Sequence, residues 1–92
     1  MTIKEITEFQ KEFGYTELQD MINSGLAWKM EGSIGRAAMD SLRSGACYLP
    51  TKTYRDYYGN VIPDRNLLEE GSTGTLLNSK RFWESYSIGI EF

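Results

Sequence analysis

Ninety-two residues, 40% of them apolar and 13% aromatic, suit one domain with a modest core and exclude intrinsic disorder. The absence of histidine and the single cysteine, Cys47, remove His-based acid–base pairs, histidine metal sites and any internal disulfide. Net charge is −3, but residues 1–33 hold three basic and six acidic groups, 34–66 five and three, and 67–92 two and four; so weakly basic a centre excludes a dedicated duplex nucleic-acid binder.

The first helix is expected over about 2–13. Thr2 and Glu5 have capping-box spacing, Ile3, Ile6, Phe9 and Phe13 make one stripe, and Gly14 supplies the stop. A second, about 16–24, repeats this grammar with Thr16 and Gln19 as the box, Leu18, Met21 and Ile22 inward, and Gly25 as terminator. Leu26 to Met30, with Trp28, reads either as a buried extended piece or as a helical turn. A third helix, about 33–44, has Ser33 as its cap, Ile34, Ala38 and Leu42 on one face, and Gly45 after it.

Ala46 to Leu49 turns extended before Pro50. Tyr54 to Ile62 reads as a hairpin about Gly59-Asn60, a pair suited to positive φ in a two-residue turn. Gly71 to Gly74 is a further turn. Asn78 or Ser79 caps a last helix, about 79–86, carrying Phe82, Trp83 and Tyr86. The alternating tail from Ser87 to Phe92 is expected to form an edge strand, a surface for self-association. The class is α+β in one domain, 1–92. No apolar run approaches the roughly twenty residues of a membrane span, and a cytoplasmic protein is expected.

Two surfaces are candidates for function. The thirty residues from Gly45 to Gly74 hold four tyrosines, both prolines, four glycines and three basic residues, a composition that points to an ordered, turn-rich surface. Within it Tyr54, Arg55, Tyr57, Tyr58 and Arg65, with Lys52 beside them, suit a protein interface, where tyrosine and arginine are enriched. The competing explanation is a hairpin whose tyrosines alternate between core and surface, with Arg55 paired to Asp56 or Asp64. The other surface, Gly32, Ser33, Gly35 and Arg36, offers free N–H groups, a helix dipole and a guanidinium to an anion such as a nucleotide phosphate. Its plain explanation is a serine cap with a glycine for close packing, and its spacing is neither a phosphate-loop nor a dinucleotide fingerprint.

Asp56, Asn60, Asp64 and Asn66 read as turn formers, since their spacing departs from a calcium loop; no metal or cofactor is expected. The glycine-rich turn at 71–75, beside Glu69 and Glu70, is a connector. Cys47, between Ala46 and Tyr48, reads as buried and inert, and Trp28, Phe82 and Trp83 as core.

The run from Ala27 to Asn78, in particular Ser44-Gly-Ala-Cys47, Leu49-Pro50, Asp56 through Pro63 and Gly71 to Thr75, resembles small accessory proteins of tailed bacteriophages. That resemblance implies a viral protein working in the host bacterial cytoplasm, and implies no mechanism. The sequence therefore leads to a non-enzymatic protein that binds a host or viral protein, with inhibition as one outcome. The alternative is a protein that sequesters a nucleotide-like small molecule at the third helix.

Overall fold

A computed structural model describes residues 1–29 and 32–90. Among them α1 (Ile3–Phe13), α2 (Thr16–Ser24), the single turn α3 (Leu26–Lys29) and α4 (Ser33–Ser44) precede an antiparallel hairpin of β1 (Tyr54–Arg55) and β2 (Val61–Ile62). A 3₁₀ turn at Arg65–Leu67 and α5 (Leu76–Ile90) complete this α+β chain. No helix among the described residues is long and apolar enough to cross a membrane.

α1 starts at the expected reciprocal box: Glu5 N–H donates to Thr2 Oγ1 at 3.2 Å, and Thr2 N–H donates to Glu5 Oε1 at 3.1 Å. Its stripe is rotated from the expected one. Ile6 is fully buried and Phe9 half-buried, but Ile3 and Phe13 are exposed and Gln10 lies inside.

The second box does not form. Tyr15 precedes α2 without a side-chain cap, and Gln19 is buried. Gln19 is drawn inward because its amide satisfies core backbone there, a larger gain than one exposed helix cap. Leu26–Lys29 takes the helical alternative, burying Ala27 and Trp28, while Met30 lies outside the described residues. α4 is also entered differently: Gly32 is its N-cap and Ser33 its first helical residue, with no side-chain cap bond.

The segment after α4 runs between two apolar clusters. Cys47 and Leu49 pack with Ile22, Ala27, Trp28, Ala38 and Leu42, whereas Ala46 and Tyr48 pack with Ile6 and Trp83. Alternate side chains thus point opposite ways, as in a strand, but among the described residues no strand pairs with this segment. Its polar backbone atoms are satisfied by side chains and by scattered backbone groups instead. Gln10 Nε2 and Trp83 Nε1 donate to Ala46 O at 2.9 and 3.2 Å. Gln19 Nε2 donates to Tyr48 O at 2.9 Å and its Oε1 accepts from Tyr48 N–H at 3.1 Å. Leu49 N–H donates to Gly74 O at 2.8 Å, and Arg65 Nη1 to Leu49 O at 3.0 Å.

Gly45, at φ +100°, makes this crossing possible. A Cβ there would stand 2.7 Å from Phe82 Cβ and 2.9 Å from Asn78 O, so α4 and α5 meet over a bare backbone. α5 begins three residues before the expected start, because Thr75 caps it, its Oγ1 accepting from Asn78 N–H at 3.3 Å. The helix continues to Ile90, so Ser87–Ile90 is helical where alternation predicts an edge strand; Glu91 and Phe92 lie outside the described residues. Once a helix is nucleated and packed, each added residue gains a backbone bond, whereas a lone edge strand gains none. The expected self-association through that strand loses its basis.

Candidate functional site

The hairpin positions the two tyrosines. Its register pairs Tyr54 with Ile62 and Arg55 with Val61. The turn is not the expected two-residue turn on Gly59-Asn60. Asp56 N–H donates to Asn60 O at 2.9 Å and Gly59 N–H to Asp56 O at 3.0 Å, with Gly59 at φ +83°. That is a three-residue loop closed by a glycine bulge, and Asn60 keeps a negative φ. The Asp56 carboxylate takes up the loop's donors, accepting from Tyr58 N–H at 2.9 Å, Asn60 N–H at 2.8 Å and Asn60 Nδ2 at 3.2 Å. Desolvation pushes this carboxyl up, but the hydrogen bonds from Asn60, Tyr58 and Gly59 together hold it below its ordinary value.

The five residues of the expected tyrosine–arginine interface separate. Tyr54 is a packing residue: its ring covers Gly25, where a Cβ would stand 2.5 Å away, and its hydroxyl donates to Asn23 O at 2.9 Å. The Lys52 ammonium lies 5.3 Å from the centre of the same ring. Arg65 anchors the central segment, its guanidinium 5.5 Å from the Tyr48 ring centre. Arg55 is not paired with Asp56 or Asp64; its Nη1 donates to Gly59 O at 2.9 Å. Of the three tyrosines, Tyr57 and Tyr58 stay largely exposed, at 57% and 70%, with their rings edge to face and 5.2 Å apart.

These two tyrosines meet the other candidate surface. A cavity of about 430 Å³ lies between α4 and the hairpin tip, lined by Gly32, Gly35 and Arg36 from one side and Asp56, Tyr57 and Tyr58 from the other. Ala27, Trp28, Met39 and Ile62 add its apolar lining, and Asp40 and Arg43 lie on it further along α4. Ser33 belongs to the same helix start but is not among the lining residues.

The charges in the cavity are not equivalent. Arg43 and Asp40 pair with each other at 3.3 Å, and the Asp56 carboxylate is occupied by loop amides. Arg36 makes no ion pair or hydrogen bond with its side chain among the described residues. The backbone N–H groups of Ser33, Ile34 and Gly35 likewise have no acceptor among them, since Gly32 caps without a side chain. Trp28 is 4% exposed, and its indole N–H is buried without a partner. Unsatisfied buried donors are uncommon in folded proteins.

Sequence reasoning names Arg36, Gly32, Gly35, Tyr57 and Tyr58 but misses the apolar lining. Trp28, Met39 and Ile62 carry ordinary core patterning, and nothing local reveals that their outer surfaces border a cavity. The remaining Asx groups act as turn formers, Asp64 capping the 3₁₀ turn through Asn66 N–H. Cys47 is fully buried; desolvation pushes its thiol up to about 11 against a weaker opposing bond with Ser41. No family model, no curated protein and no solved structure matches this chain.

Proposed function

We propose that this chain is a non-enzymatic binding protein whose ligand site is the cavity between α4 and the hairpin tip. The observation that carries this reading is convergence. Arg36 and the Tyr57–Tyr58 pair, about twenty residues apart in sequence, border one concavity with an apolar lining. Its volume of about 430 Å³ falls within the range of small-molecule sites, which combine apolar walls with a few directed polar groups. Binding is favoured over catalysis because the chain has no histidine and its thiol is buried and held protonated.

The test is amide and indole NMR of the isotope-labelled protein against a library of small aromatic and anionic compounds. Saturable shifts at Gly35, Tyr57, Tyr58 and the Trp28 indole are expected. A library that leaves all four unmoved would reject the site.

The exposure of Tyr57 and Tyr58 supports a second reading, in which a host or viral protein docks on the hairpin tip and is inhibited or redirected. That reading follows the resemblance to phage accessory proteins. It requires photo-crosslinking from position 58 in bacterial lysate to give a discrete adduct that Tyr57→Ala abolishes. Identical adduct patterns from both proteins would sink it.

A further inference from the structure

The chemistry lining the cavity narrows what it takes. We infer that the ligand is a planar aromatic ring carrying one anionic group, a phosphate or a carboxylate, of about nucleoside monophosphate size; the inference rests on the cavity being a ligand site. Two independent features converge on that class. The first is charge. Of the four charged side chains on the cavity, Asp40 and Arg43 neutralise each other and Asp56 is held by the loop, so Arg36 is left as the uncompensated cation among the described residues. One guanidinium beside unfilled helix N–H groups matches one anionic group. It is a poor match for a triphosphate, whose additional charges would find no partner here.

The second feature is the ring surface. Tyr57 and Tyr58 offer aromatic faces at one wall, and Trp28, Met39 and Ile62 offer apolar surface elsewhere on the cavity. Stacking of this kind favours a flat ring and tolerates many ring identities. The Trp28 indole N–H is buried, but its residue lines the cavity, so its resonance reports on what enters there. An apolar ligand would fill the space but leave Arg36 unanswered, and a bare anion would leave the aromatic wall unused.

The experiment compares two acids with their neutral counterparts on the full chain: adenosine monophosphate against adenosine, and indole-3-acetate against indole-3-ethanol, with inorganic phosphate as a fifth arm. At least one acid is expected to bind tenfold or more tightly than its neutral partner, moving the Gly35 amide and the Trp28 indole. Phosphate alone is expected not to saturate. Arg36→Ala should remove the acid's advantage while leaving the neutral compound's affinity within twofold, and Tyr57→Ala should weaken both. Which acid wins separates the phosphate and carboxylate forms. If the neutral compounds bind as tightly as both acids, or if Arg36→Ala leaves the preference intact, the anionic requirement is wrong although the cavity remains a site. If phosphate alone saturates at Arg36 as tightly as the acids, the aromatic requirement is wrong. If none of the five perturbs the cavity, the inference falls, and the wider library decides whether the site falls with it.

Discussion

Single side chains decide the course of the chain's middle. Gln10 and Gln19 are both nearly fully buried and joined by a 2.8 Å hydrogen bond, and they provide the polar partners that a neighbouring strand would otherwise supply to Ala46 and Tyr48. Cys47 sits between those residues with its thiol pushed up to about 11. A raised acid favours the protonated fold, so its contribution is complete below the unfolded thiol's value of about 8.5 and is lost as pH climbs toward 11. Stability measured by urea unfolding should therefore fall between pH 8 and 11, by about 2 kcal/mol more in the wild type than in Cys47→Ala. Equal slopes would show that the thiol is not desolvated. The same burial predicts that a thiol reagent modifies Cys47 only after unfolding.

Helix boundaries test how much local patterning carries. Thr2-x-x-Glu5 and Thr16-x-x-Gln19 have the same spacing, yet only the first forms a box. Thr2→Ala should cost about 1 kcal/mol and Thr16→Ala less than about 0.5 kcal/mol. Gln19→Ala should cost about 3 kcal/mol, because it strands the polar groups of Tyr48 and a donor of Gln10 inside the core. These ratios are read from chemical denaturation, and a Thr16→Ala loss equal to that of Thr2→Ala would contradict the observed capping. Locally, nothing distinguishes the two boxes. The difference arises because Ala46–Tyr48, nearly thirty residues further on, competes for Gln19. The end of α5 teaches the same lesson in reverse: alternation over Ser87–Ile90 suggests a strand, but a helix already capped at Thr75 continues through it.

On the scale of the whole molecule, the segment 46–49 ties the two apolar clusters together, one holding Trp28 and the other Trp83. Shared backbone and shared glutamine partners make separate melting costly, so the clusters should unfold together. The native indole resonances of Trp28 and Trp83 are expected to vanish at one urea concentration. Two midpoints would mean that the clusters are separate cooperative units. The cavity depends on this arrangement, since α4 and the hairpin border it only while both are held to the cluster around Trp28.

The amino-acid sequence by itself determined the α+β class, the order of the helices and the glycine stops, and it singled out five residues that line the cavity, Gly32, Gly35, Arg36, Tyr57 and Tyr58, among others that do not. These are local matters, set by caps, periodicity and turn chemistry within a few residues. Tertiary structure alone decided which tyrosines pack inward and which stay exposed. Tyr54 packs on Gly25 and Arg65 holds the backbone at Leu49, while Tyr57 and Tyr58 turn outward beside Arg36. The physical reason is that a side chain's role depends on which distant backbone groups and surfaces compete for it. That competition exists only once the helices and the hairpin have packed.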